Sequence, residues 1–282
     1  MSEVEETKSK PSTVDSLITI ASIEYEVVHT TDGDYLAYPL EGPKVAIPLF
    51  GMGATLSDRL MRRHKETLGK TPSKRSVEEA IRVLISDASL RPQVVTFIRN
   101  AKLSEEIFID IGDQTGEAIY LSQGVWEIIE RPPVYFRRSA LTAPLIRPVR
   151  GGKIDALFIS LNIDTKMRHL LKGFLIASLD PTIPIPLIAL NGEQGSGKST
   201  FTKLLRALID PSPVPLQSPP SNEASWIEIA GSSRLIALDN LSNLQEWLSD
   251  VLCRAVTGGG KAKRKHYSDK ELVIYDFKRV II

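Results

Sequence analysis

Asn191-Gly192-Glu193-Gln194-Gly195-Ser196-Gly197-Lys198-Ser199-Thr200 is the stretch on which the fold turns, and it fits G-x-x-x-x-G-K-[ST] without a gap. An apolar run, Leu187 to Leu190, precedes it, and Phe201, Leu204, Leu205 and Leu208 follow at helical spacing, so the order reads strand, glycine loop, helix. Such a loop suits a polyphosphate, because Gly192, Gly195 and Gly197 let backbone N–H groups turn toward an anion with no Cβ in the way. Lys198 brings a point charge for the β- and γ-phosphates, Ser199 a hydroxyl ligand for Mg²⁺, and Thr200 a group facing the α-phosphate; the helix N-terminus favours the same charge. Gly192 to Thr200, with Glu193, Gln194 and Ser196 as its intervening residues, is therefore the expected ATP site. A chance glycine turn would need its flanking strand and helix to be coincidences too.

Downstream, Arg234-Leu235-Ile236-Ala237-Leu238-Asp239 reads as an apolar strand ending in a carboxylate. In a P-loop domain that is the Walker B element, and Asp239 would share Mg²⁺ with Ser199. The helix expected at Asn243 to Val256, capped by Ser242 with Gln245 three residues on, puts Leu244, Trp247, Leu248, Val251, Leu252 and Ala255 on one face, so Trp247 reads as core. Then come Thr257-Gly258-Gly259-Gly260, the basic run Lys261-Ala262-Lys263-Arg264-Lys265-His266-Tyr267, the strand Leu272 to Tyr275, and the apolar end Val280 to Ile282. Lys261, Lys263, Arg264 and Lys265 suit the phosphate backbone of single- or double-stranded DNA, and Tyr267 could stack on a base. The plainer alternative is a solvated face, which Asp269 and Glu271 dilute.

The first half carries a different pattern. Residues 1–13 are rich in Glu, Lys, Ser and Pro and read as a flexible tail. Tyr25 to Thr30 and Tyr35 to Leu40 flank Asp32-Gly33, a hairpin signal, and Lys44 to Phe50 reads as a further strand. Two amphipathic helices follow, one with Leu56, Leu60 and Met61, the next opened by Ser76 to Glu79 and carrying Ala80, Ile81, Leu84 and Ile85. Leu68-Gly69-Lys70-Thr71-Pro72 between them has neither glycine loop nor strand before it and is no second phosphate site. Four β-type runs, Val94 to Ile98, Ile107 to Ile111, Ala118 to Leu121 and Val125 to Ile129, complete a small α+β domain over 14–130. Residues 131–152, with four prolines, Gly151-Gly152 and five arginines, read as an extended linker. A helix from Asp164 to Leu179, burying Met167, Leu170, Leu171, Phe174 and Ile176 to Leu179 on one broad face, begins the P-loop domain, and Glu223 to Ala230 reads as a short helix after a proline-rich surface loop.

Composition sets the outer limits. A chain of 282 residues holds two ordinary domains, and 42% apolar with 24% charged residues is a globular composition. A net charge of +1 makes any nucleic-acid argument local. The one cysteine, Cys253, excludes an internal disulfide framework and falls in an apolar helical pattern expected to be core; the four histidines have no metal-ligand spacing, so no structural metal is expected. No apolar run approaches the ~20 residues that cross a bilayer, and Met1 to Lys10 is charged, so a cytoplasmic protein with no membrane contact is expected.

The order of parts resembles the ATPase core of superfamily-3 helicases and of primase-helicase proteins carried by phages, plasmids and other mobile elements. The likeness rests on Gly192 to Thr200, Leu238-Asp239-Asn240-Leu241-Ser242, Trp247-Leu248-Ser249-Asp250, and Thr257 to Gly260 with Arg264 and Tyr267, and covers Lys153 to Ile282. It implies an α/β P-loop NTPase domain of the AAA+/superfamily-3 helicase type over 153–282, using ATP and Mg²⁺. It further implies a homo-oligomeric ring whose post-Walker-B hairpin tracks nucleic acid, hence a DNA-dependent ATPase or helicase-like motor of a mobile genetic element. Lys198, Asp239 and Asn240 then occupy the catalytic positions. Two departures follow from the comparison. Asn240 stands where a Glu commonly polarises the attacking water, and an amide cannot take a proton, so either hydrolysis is slow or another carboxylate such as Glu246 or Asp250 substitutes. The chain also stops at Ile282, before the expected polar sensor residue and arginine finger, so the domain is expected to be cut short. A nucleotide-dependent switch with little hydrolysis is the alternative that Asn240 motivates; a small-molecule kinase has no visible acceptor site.

Overall fold

The computed structural model describes residues 11–51, 53–241, 243–258, 260–264, 272–276 and 278–282. The chain divides into two compact units, Met1–Val95 and Thr96–Ile282.

In the first unit, helix α1 (Thr13–Glu24) opens on a capping box in which Ser12 Oγ accepts from the Asp15 N–H while the Asp15 carboxylate accepts from the Ser12 N–H. The polar composition that reads as a tail therefore ends in a helix start. Strands β1 (Tyr25–His29) and β2 (Tyr35–Pro39) form the expected antiparallel hairpin, and β3 (Ile47–Pro48) adds to β2. Helix α2 (Leu56–Leu68) is capped by Thr55 and ends at Gly69, whose φ of 70° is the left-handed conformation of a helix stop. Helix α3 (Lys74–Ser89) starts at Ser73 rather than at Ser76, because the Ser73 hydroxyl accepts from the Ser76 N–H. Leu17, Ala21, Ala37, Ile47, Leu56, Leu60, Val77 and Ile81 gather into one core between the three helices and the hairpin.

The second unit begins earlier than the sequence pattern predicts. Strand β4 (Thr96–Phe97) pairs in parallel with β9 (Tyr135–Phe136), and β5 (Asn100–Leu103), β6 (Glu106–Asp110), β7 (Ala118–Ser122) and β8 (Val125–Ile129) form an antiparallel meander. Helices α4 (Ile154–Ser160), α5 (Thr165–Leu179), α6 (Lys198–Ile209), α7 (Glu223–Ala230) and α8 (Glu246–Thr257) follow, with strand β10 (Leu235–Ile236) before α8 and β11 (Gly260–Arg264), β12 (Leu272–Asp276) and β13 (Val280–Ile281) after it.

A buried ion pair explains why the meander belongs here. Arg99, fully buried, donates from Nε to Asp210 Oδ1 (2.8 Å), and its other nitrogens reach the carbonyls of Asp110, Ile111, Ala143 and Pro211. The second Asp210 oxygen accepts from the N–H groups of Arg234 (2.8 Å) and Leu235 (3.0 Å). Asp210 thus joins the end of α6, the start of β10 and the meander at one point. Residues 131–152 are correspondingly not a solvated linker. Arg138 forks onto Asp110, Arg137 donates to the Gly231 carbonyl, Arg147 pairs with Glu117, and the Ala143 N–H bonds to the Pro211 carbonyl. These partners lie far away in sequence, so composition alone reads the segment as solvated.

Three connections order the segments around the glycine loop. The Ile188 N–H bonds to the Ile281 carbonyl, β13 pairs in parallel with β10, and Gln217 bridges in parallel to Leu238. The final strand therefore lies between the segment entering the loop and β10, which leads to Asp239. Two predicted strands are shorter than their apolar patterns. The segment before the loop, Leu187 to Leu190, is held by the Ile188 hydrogen bond without forming a regular strand, and β10 covers only two residues.

Candidate nucleotide site

Two glycines make the loop's geometry possible. Gly195 (φ 82°) and Gly197 (φ 86°) are left-handed, and Gly197 is the residue from which α6 starts. Gly192 is required for a different reason: a Cβ there would come within 2.9 Å of Ser196 Oγ. From the first turn of α6, Lys198 Nζ donates to the carbonyls of Gly192 (2.7 Å) and Glu193 (2.8 Å) and lies 3.3 Å from Ser196 Oγ. The ammonium group is held inside the curl of the loop, while residues 191–197, Ser199 and Thr200 are exposed. Gly192, Gln194, Gly195, Ser196, Gly197, Lys198, Ser199 and Thr200 line one cavity of about 1070 Å³, which Asp239 and Asn240 line as well. Glu193 contributes its carbonyl to Lys198 instead.

The apolar wall of this cavity comes from Leu187 to Leu190, Leu238, Ile281 and Ile282, the segments whose hydrogen bonds put them side by side. Asp239 stands half-buried at the end of the apolar segment that begins with β10. Asn240 follows in the left-handed region (φ 58°), and its N–H donates to Asp239 Oδ1 (3.1 Å). A neutral amide at this position has no proton-accepting group. Ser199 and Asp239 supply oxygen ligands of the kind Mg²⁺ takes.

A second cavity of about 1090 Å³ adjoins the first on the α5 side. It shares Ser196, Gly197, Lys198 and Thr200 with the loop and is walled by Ile163, Met167, Leu170, Phe174 and Phe201. This corrects the burial expected of α5: Leu171 and Phe174 are buried, whereas Met167 and Leu170 are exposed into this cleft and Ile176 is exposed as well.

Elsewhere the expected site residues divide. Helix α8 starts at Glu246, with Gln245 as a cap that makes no side-chain hydrogen bond, so the start expected at Asn243 is three residues early; Ser242 lies outside the described residues. Trp247 packs half-buried against the core of α7, α8 and β10, whereas Cys253 is exposed, against its expected burial. Lys261, Lys263 and Arg264 belong to β11, which pairs antiparallel with β12 from Gly260 opposite Asp276 to Arg264 opposite Leu272. The basic run is thus one strand of a hairpin; Lys265 and Tyr267 lie outside the described residues. Sequence reading missed the buried arginines Arg99, Arg206 and Arg234 and their shared carboxylate Asp210. Burial pushes Arg234 down to about 10 and lowers Arg206, while Asp210 works against both shifts. The apolar run Val280 to Ile282 does form a strand, β13, but no motif announced its place beside the loop.

No helix among the described residues is long and apolar enough to cross a membrane. No curated protein matches the chain. The family model described as actinomycete integrative conjugative element replication protein matches residues 154–282, from the first residue of α4 to the end of β13 and one residue beyond, so this part of the chain is similar to replication proteins of mobile elements.

Proposed function

We propose that the second unit binds ATP with Mg²⁺ and serves as a DNA-dependent ATPase, a helicase-like motor, in the replication of a mobile genetic element. The observation that carries this reading is the convergence of Lys198, Ser199 and Asp239 on one cavity at the mouth of parallel extended segments. A polyphosphate would take the loop N–H groups and the Lys198 ammonium, and Ser199 and Asp239 would hold the metal. The apolar cleft beside the loop offers Met167, Leu170 and Phe201 as a surface for a flat base. The β11–β12 hairpin places Lys261, Lys263 and Arg264 on one strand, the charge that a nucleic-acid backbone requires. Ring assembly, expected from the family resemblance, belongs to this proposal.

The test is titration of the full chain with ATP and Mg²⁺ by calorimetry, beside Lys198→Ala. Removing one charged donor at a phosphate weakens binding by roughly tenfold or more. Equal affinity of the two proteins sinks the reading. Turnover is then measured with and without single-stranded DNA, and stimulation is the expected result.

Asn240 supports a second reading, a nucleotide-dependent switch that binds ATP with little turnover. Tight binding without turnover, together with a large gain in Asn240→Glu, selects the switch.

A further inference from the structure

Charge in the first unit is sharply segregated. Between residues 14 and 58 the acidic side chains of Asp15, Glu24, Glu26, Asp32, Asp34, Glu41 and Asp58 face a single basic one, Lys44. Over the next stretch, 59–75, the balance reverses: Arg59, Arg62, Arg63, Lys65, Lys70, Lys74 and Arg75 are opposed by Glu66 alone. That second stretch is the body of α2, the turn after it and the first residues of α3.

The fold presents these cations on a fixed frame. Leu56, Leu60 and His64 recur every four residues and bury one side of α2, which turns Arg62 and Lys65 outward. The turn is pinned from beneath: buried His64 donates from Nδ1 to the Lys70 carbonyl (2.7 Å), and the Gly69 N–H bonds to the Lys65 carbonyl. Lys74 and Arg75 are each 88% exposed.

Arg63 ties α2 to Glu24 of α1 and Lys65 suits the last turn of α2, but two physical arguments leave much of this charge open to a ligand. Lys74 and Arg75 stand in the first turn of α3, where the helix dipole disfavours cations and which holds no acidic residue; Arg75 reaches Glu79 one turn on (2.8 Å). The ion pairs that Arg62 and Lys74 make with Glu66 and Glu78 are exposed, at 3.9 and 3.8 Å, a class worth about 0 to 1 kcal/mol, so an anion can displace them.

We infer that the α2–α3 surface of the first unit binds the phosphate backbone of duplex DNA. Residues 56–91 contain no Phe, Tyr or Trp, so the surface has no platform on which to stack an unpaired base. A basic helix pair without aromatics suits the regular phosphate rows of a duplex. The acidic remainder of the unit repels the same polyanion and so sets the orientation of approach.

The experiment is fluorescence anisotropy of the full chain with a mixed-sequence duplex and with one of its strands alone, across a salt series. The variant Arg62→Gln/Lys65→Gln/Lys70→Gln keeps helix propensity while removing three charges. It is expected to bind duplex at least tenfold more weakly at low salt, with a log–log salt slope shallower by about 2 to 3. Single-strand binding and ATP affinity are expected to stay unchanged, which separates this result from any failure of the ATPase reading. A thermal melt accompanies each protein, and Lys74→Gln/Arg75→Gln decides the matter if the triple variant melts early. Unchanged duplex affinity and slope overturn the inference. Equal loss on the single strand does so as well, as does loss of binding to anionic vesicles with duplex binding intact.

Discussion

Asn240 shows how one backbone angle can decide which side chain a site tolerates. Its φ of 58° is left-handed, a region Asn enters more readily than most residues, and its N–H is committed to Asp239 Oδ1. Glu in that conformation meets a steric cost of about 1 to 2 kcal/mol. Asn240→Glu is therefore expected to lower the unfolding free energy by about 1 kcal/mol, read by denaturant titration, whereas Asn240→Gly holds or raises it. Equal stability of all three proteins would show that the angle places no demand on residue type. The glycine loop was legible at this scale because its chemistry is contiguous: Gly195, Gly197 and Lys198 act within a few residues of each other. The orientation of Asn240 was not legible, since its angle is set by the strand's exit and not by its neighbours in sequence.

Buried arginines join several elements of the second unit, and this arrangement escaped sequence reading for a physical reason. An arginine in a Pro-rich stretch has the same composition whether solvated or paired, and its partner is chosen by the fold. Arg138 finds Asp110, and Arg99 finds Asp210 across 111 positions. The helices α5, α6 and α7 were readable from periodicity; β5 (Asn100–Leu103) was not, because Asn100 and Lys102 break its apolar pattern while bonding to the Leu179 carbonyl and to Asp180. Asp210→Ala leaves Arg99 buried without its carboxylate and frees the N–H groups of Arg234 and Leu235. Breaking a buried pair from one side costs about 3 to 5 kcal/mol, so the variant is expected to be strongly destabilised in chemical denaturation. Gly112 tests the other side of the joint. A Cβ there would lie 2.6 Å from Arg99 Nη1 and 3.0 Å from the Ala143 carbonyl, at a φ of 84°. Arg99 is held by five acceptors and cannot yield, so Gly112→Ala is expected to lower stability measurably, whereas Gly124→Ala, at φ 77° with nothing near its Cβ, carries the backbone strain alone. Equal losses in the two variants would remove Arg99 from the explanation.

At the scale of the molecule, a net charge of +1 conceals strong local electrostatics, and the division after Val95 places one set of them wholly in the second unit. Asp180 lies between α5 and the segment that leads to the glycine loop, where burial raises its affinity for a proton. The hydrogen bonds from Lys102 and from the side chain and backbone of Thr182 outweigh that effect and hold it below its ordinary value of 3.8. Asp113 behaves alike: burial opposes, but Thr115 and the guanidinium groups of Arg147 and Arg138 prevail. A carboxylate with a folded pKa below its unfolded pKa adds stability that is complete above the unfolded value and is lost as pH falls through the folded one. The second unit is therefore expected to lose stability progressively below about pH 4, where the unfolded chain takes up protons that the folded carboxylates resist. Lys102 shares the interaction, since its hydrogen bond to Asp180 raises its own pKa more than burial lowers it. Lys102→Met removes the partner, keeps the apolar stem, and returns Asp180 toward its ordinary value, the Thr182 hydrogen bonds remaining. Denaturant unfolding of the full chain at about pH 6 and about pH 3, followed through a probe in the second unit, should show a smaller acid loss in the variant than in the parent. An identical acid loss would mean that Asp180 is not held down by Lys102 and that the acid sensitivity of this unit arises elsewhere.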